Sequence, residues 1–98
     1  MYTKIFRYQI LEKDYSVWLQ LSRASNAVYD NYPEVSYRQT PHKRMGGGMD
    51  IEEIVIYASK EECEQITNEL STNPEVIELS NQFMEIVQGE IKEEENGE

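Results

Sequence analysis

Cationic side chains are scarce in this sequence: nine Lys and Arg stand against nineteen Asp and Glu, a formal charge of −10. A surface of that sign repels phosphate backbones and has no counterions to release on binding them, so DNA and RNA are not expected partners. There is one Cys and one His. Cys63 alone can form neither an intramolecular disulfide nor a cysteine-rich zinc site, and the single His42 limits chelation, so no metal is expected. A metallochaperone, which needs paired cysteines, is excluded on the same ground. No apolar run approaches the roughly 20 residues that cross a bilayer, and the opening MYTKIFRYQI lacks the core of a signal peptide, so a cytoplasmic location without membrane contact is expected.

What remains is an ordinary folding composition, 39% hydrophobic and 29% charged, with seven Tyr, two Phe and one Trp. Residues 1–98 suit one domain, small enough that a second copy is a natural way to complete the core. YTKIFRYQIL, residues 2–11, mixes aromatic and β-branched side chains without Gly or Pro and predicts a first strand. Asp14 can cap a helix running to about Asn31, stopped by Pro33. At 100° per residue its inward stripe carries Leu11, Trp18 and Tyr29, flanked by Tyr15, Leu21 and Val28, with Ser22 and Ser25 set among the aromatics. EVSYRQT, residues 34–40, and DIEEIVIYAS, residues 50–59, predict a hairpin whose loop is HKRMGGGMD. In the second of these strands Ile51, Val55 and Tyr57 share one face, while Ile54, Ile56 and Ala58 share the other. Both faces are apolar, so both need cover.

Ser59 with Glu62 forms a capping box opening a helix with Cys63, Ile66 and Leu70 on one stripe. Asn73 caps the next, with Pro74 at its first position. Val76, Leu79, Phe83, Ile86 and Val87 fall on one side of it, so periodicity selects a helix over 74–88, ended by Gly89. EIKEE supplies a short last strand, and the acidic tail over about 93–98 is expected to fray.

The order β-α-β-β-α-α-β is an α+β, ferredoxin-like plan with an antiparallel sheet and helices on one face. The bare face then calls for a second sheet, most simply that of an identical subunit on a two-fold axis. NPEVIELSNQFMEIVQGEI, residues 73–91, preceded by SKEECEQITNEL, resembles the late helix and final strand of the dimeric α/β-barrel superfamily. That group includes the antibiotic-biosynthesis monooxygenase-like and stress-responsive barrel proteins. The resemblance implies a homodimer with a pocket between helices and sheet, and it implies cofactor-independent oxidation of a small aromatic or quinol. The alternative is a non-catalytic dimer that binds a small molecule or another protein. The superfamily's haem-degrading members use an Asn, Trp and His set; this first strand has no Asn and His42 sits in a Gly-rich loop, so haem is not carried over and no cofactor is expected.

Two sets of residues are candidates for a site. Trp18, Ser22, Ser25 and Tyr29, with Tyr8 from the first strand, can floor a pocket for a flat aromatic ligand, although a stripe at this spacing also serves as core. Arg38, Lys43 and Arg44, with His42, can gather an anion over the glycines. The GGG run lacks the strand-to-helix context and the Gly-Lys-Ser/Thr ending of a phosphate loop, so a solvated connection is the first reading of it and an anion contact or pocket lid the second. His42 is a weak candidate base.

Overall fold

The structure is a computed structural model and describes residues 1–97. Its elements are β1 (Tyr2–Ile10), α1 (Tyr15–Tyr29), β2 (Ser36–Lys43), β3 (Met49–Tyr57), α2 (Lys60–Ser71), α3 (Pro74–Ile86) and β4 (Val87–Gly97). The strands form one sheet in the order β2-β3-β1-β4, every neighbouring pair antiparallel. This is the expected α+β, ferredoxin-like plan. β1 and β3 are the inner strands, and each carries aromatic or aliphatic bulk on every helix-facing position but one, Lys4 in β1 and Glu53 in β3; the buried Tyr2, Tyr8 and Ile10 mark that face of β1.

The local signals for the second and third helices form as the sequence dictates. Ser59 Oγ accepts from the Glu62 amide at 3.1 Å, and Asn73 Oδ1 accepts from the Glu75 amide at 2.9 Å, each satisfying an orphan donor of a first turn. Asp14 does not cap α1 with its side chain; a 3₁₀ turn over Glu12–Asp14 leads into the helix instead.

Three boundaries differ from expectation. β2 reaches Lys43, so His42 and Lys43 are strand residues paired with Asp50 and Met49, and the connection shrinks to residues 44–48. Gly46, Gly47 and Gly48 all take positive φ there, and the Arg44 amide donates to the Gly48 carbonyl to close the turn. At the other end, α3 stops at Ile86, and Gly89 does not cap it. Gly89, at φ +77°, lies instead where the β1/β4 register shifts between Arg7 and Gln9, a bulge opposite Tyr8.

The third difference is the tail. Residues 93–97 do not fray; they pair with β1 from Phe6 to Tyr2. An edge strand needs backbone partners more than apolar side chains, and β1 supplies them along its length. Cross-strand contacts add to this: Lys4 Nζ lies 3.3 Å from Glu93 Oε1, and Tyr2 donates to Glu95 at 3.0 Å. Gly97 permits a close approach to β1, since a Cβ there would collide with the Tyr2 ring.

The core has two parts. One gathers Tyr8, Ile10, Trp18, Leu21, Met49, Ile51 and Ile86; the other gathers Tyr2, Val55, Tyr57, Cys63 and Ile66. On the opposite side of the sheet Ile5, Ile54 and Ile56 are only half-buried, so the second apolar face of β3 is left without a covering layer in this chain.

Candidate functional site

The two core clusters meet at Glu53. It sits on the helix-facing side of β3 between Ile51, which belongs to one cluster, and Val55, which belongs to the other. A carboxylate in that row cannot join either cluster, and a cavity of about 230 Å³ opens beside it. Its wall is apolar on the α3 side, where Leu79, Phe83 and Met84 line it. Tyr8, Tyr29, Tyr37 and Ser25 gather around Glu53 at the other end.

Hydrogen bonds fix the polar end. Tyr8 donates to Glu53 Oε2 at 2.6 Å and Tyr37 donates to Oε1 at 2.5 Å. The Trp18 indole N–H donates to the Tyr8 oxygen at 2.8 Å. An indole N–H can only donate, so the Tyr8 oxygen accepts and its own proton is directed at Glu53. Tyr29 stacks on Tyr37 with ring centroids 4.2 Å apart, and Phe83 meets Tyr8 edge-on at 6.5 Å.

Burial, followed by the charge of Glu53, pushes the phenols of Tyr8 and Tyr37 far above the usual tyrosine range. The same causes in the same order push Tyr29 up to about 12. These tyrosines are therefore neutral at any physiological pH, and the Glu53 carboxylate is the acceptor on which Tyr8 and Tyr37 converge.

Of the residues picked out by pattern, Tyr8, Ser25 and Tyr29 line this cavity, whereas Trp18 and Ser22 do not. Trp18 is buried about three helical turns before Tyr29, stacked on Tyr15 at 5.8 Å, and acts on the site through Tyr8. Ser22 donates to Gln39 Oε1 on β2, which also accepts from Asn26 at 3.3 Å. Three residues that complete the site, Glu53, Tyr37 and Phe83, were not singled out by pattern. For Glu53 the signal was present: it interrupts an alternation of Ile51, Val55 and Tyr57 at a position where an apolar residue is expected.

The basic residues of the hairpin do not assemble into one site. Lys43 Nζ pairs with Glu12 at 2.9 Å, and Arg44 Nε lies 3.8 Å from Asp50. Arg38 and His42 are exposed on the helix-free face, opposite Ile54 and Asp50. His42 borders a hollow there with Arg7, Gln9, Glu52 and Lys92, on the other side of the sheet from Glu53.

No protein-family model and no curated protein matches the sequence. Solved structures do match in shape. The protein Atu4242 from Agrobacterium tumefaciens superposes with a TM-score of 0.74 at 10% identity, over 99% of this chain and 92% of its own. An uncharacterized NIPSNAP domain protein from Burkholderia xenovorans gives 0.72 at 9% identity, over 100% and 94%. A candidate antibiotic biosynthesis monooxygenase from Nitrosomonas europaea gives 0.69 at 10% identity, over 100% and 98%. No helix of the described residues is long and apolar enough to cross a membrane. At such identities the likeness is one of fold, and it is the ferredoxin-like α+β plan that the resemblance of residues 73–91 implied.

Proposed function

We propose that this chain binds a small electron-rich aromatic, a phenol or quinol, beside Glu53 and oxidises it with O₂ without a cofactor. The observation that carries the reading is a carboxylate facing an apolar cavity and held by two phenols. An apolar cavity of roughly 150 Å³ accepts a benzene, so 230 Å³ suits one substituted ring. Glu53 takes the proton of the substrate hydroxyl. The phenolate then gives one electron to O₂, the two radicals join through a C–O bond, and loss of water leaves a quinone. One oxygen atom ends in the product and one in water, and the ring C–H and O–H supply both hydrogens. Tyr8 and Tyr37 hold the carboxylate in one orientation, and the apolar wall excludes water that would quench the intermediates.

The test is oxygen uptake with a panel of single-ring quinols and phenols. Glu53→Gln is expected to lower the rate about 10²–10⁴-fold, the range for loss of a general base, with circular dichroism unchanged. Uptake no faster than autoxidation across the panel sinks the oxidation. A second reading, a binding protein that does no chemistry, is favoured by the engagement of both Glu53 oxygens in the resting site. It predicts saturable binding of the same phenols with no turnover.

We further propose that the chain works as a cytoplasmic homodimer joined through the helix-free face. Ile5 lies directly across from Ile54 there, an apolar centre that a second copy would cover. Sedimentation at micromolar concentration is expected to report twice the chain mass of 11.5 kDa, and a monomer there removes this part of the proposal.

A further inference from the structure

The cavity beside Glu53 holds one charge and nothing to balance it. Among the described residues no Lys, Arg or His lines it. Lys4 lies 5.9 Å from the ring centroid of Phe6, which lines the cavity, and is committed to Glu93 at 3.3 Å. Glu53 accepts at both oxygens, from Tyr8 and from Tyr37, which is the pattern of an ionised carboxylate, since a protonated one must donate from one oxygen. Two phenol hydrogen bonds offset part of the cost of holding that charge against apolar walls, and the rest stays available to a ligand.

The remainder of the lining is aromatic. Phe6, Tyr8, Tyr29, Tyr37 and Phe83 all contribute to it. Ring faces carry partial negative charge and attract cations, most strongly where water is excluded. A carboxylate and a set of rings around one small space is therefore complementary to an ammonium group on an apolar body. It is not complementary to an anion, and the chain's charge of −10 concentrates cations and repels anions before contact.

We infer that the cavity selects a small organic cation, an arylalkylammonium, whose nitrogen pairs with Glu53 and whose ring packs toward Phe83 and Leu79. The inference rests on the cavity being a ligand site, and it does not need the oxidation. The ammonium takes the place that a phenol proton takes in the catalytic reading, so the two ligand classes compete for one carboxylate.

The test uses three probes sharing a para-hydroxyphenyl ring: tyramine, para-ethylphenol and para-hydroxyphenylpropionate, titrated by calorimetry and by amide NMR shifts. Tyramine is expected to bind about tenfold more tightly than para-ethylphenol, the factor set by one desolvated cation contact, with the propionate weakest. Glu53→Gln is expected to abolish the tyramine preference, bringing the tyramine and para-ethylphenol affinities to within about threefold of one another, since no cation contact is left. In the unaltered chain alone, para-ethylphenol binding as tightly as tyramine overturns the inference and leaves the aromatic pocket standing. A tyramine preference that survives in the folded Glu53→Gln variant also overturns it. Binding by none of the three removes both the inference and the pocket.

Discussion

On the helix-covered face of β3 Glu53 is the only charge in the row Met49, Ile51, Val55 and Tyr57, and its oxygens meet two tyrosines. On the helix-free face of the same strand Asp50 and Glu52 precede Ile54 and Ile56, and Glu52 meets Arg7 at 3.1 Å with both side chains open to water. The first face satisfies its carboxylate with neutral donors that are themselves buried. The second uses opposite charges that solvent screens. Low dielectric makes the first arrangement strong and unforgiving, and water makes the second weak and replaceable. The same strand thus separates a face able to hold a specific ligand from one suited to a mobile or partner-dependent contact.

The largest expected effect separates the faces by packing. Ile51 is 2% exposed within a closed cluster, so Ile51→Ala is expected to cost about 2–5 kcal/mol in urea denaturation. Ile54→Ala, on a half-covered face, is expected to cost less than half as much in the monomeric chain. Ile54→Lys is expected to leave the fold intact and to shift sedimentation from dimer to monomer. Equal costs for the two alanine variants under dilute, monomeric conditions would erase the contrast between the faces.

Titration with base sharpens the comparison at the next level. Burial raises Tyr29 to about 12 from the usual tyrosine value near 10, and raises Tyr8, Tyr37 and Tyr57 further, so these phenols resist ionising while the chain is folded. A raised folded value means that their contribution to stability is fully present below pH of about 10 and is lost as pH rises through the folded values. The expected result is that the phenolate absorbance contributed by Tyr8, Tyr29, Tyr37 and Tyr57 rises late and together with unfolding. Glu53→Gln removes the charge that adds to the shift and is expected to move that rise to lower pH.

Much of this arrangement is legible from sequence where the signal is local. The Ser59 and Asn73 caps and Pro74 mark α2 and α3 because capping involves residues within three positions of each other. The stripe of Trp18, Ser25 and Tyr29 marks the inward face of α1 for the same reason. What that stripe faces is not local: Tyr37 arrives from β2 and Phe83 from α3, and only their meeting at Glu53 makes a cavity of which Trp18 is no part. The length of β4 was hidden because residues 93–97 bring few apolar groups, and their order comes from backbone pairing with β1 at the far end of the chain. Glu53 itself was visible as a break in alternation, and a carboxylate on the buried row of a strand is a signal to be read as a site.

The smallest effect belongs to the helix-free face and bears most directly on what covers it. Arg7 reaches Glu52 at 3.1 Å and Glu94 at 3.3 Å, and its guanidinium is held above its usual value by those two carboxylates. Glu94 is held below the usual carboxylate range by Asn96 first and Arg7 second. A depressed folded value gives stability that is present above the ordinary carboxylate range and is lost as pH falls through the folded value, so any contribution of this pair belongs to neutral rather than acid pH. With half-exposed partners, Arg7→Ala is expected to change the melting temperature of the monomeric Ile54→Lys background barely beyond measurement error, and salt near 1 M, where the screening length is about 3 Å, is expected to erase even that. In the chain with Ile54 intact, a second copy closing over this face would take Arg7 out of water. The same substitution then becomes clearly destabilising and insensitive to salt, because a desolvated carboxylate pair loses its only cation. A small, salt-sensitive effect in both backgrounds would mean that the face stays open to solvent in the assembled protein, and that the apolar centre at Ile5 and Ile54 is covered, if at all, without burying the charges beside it.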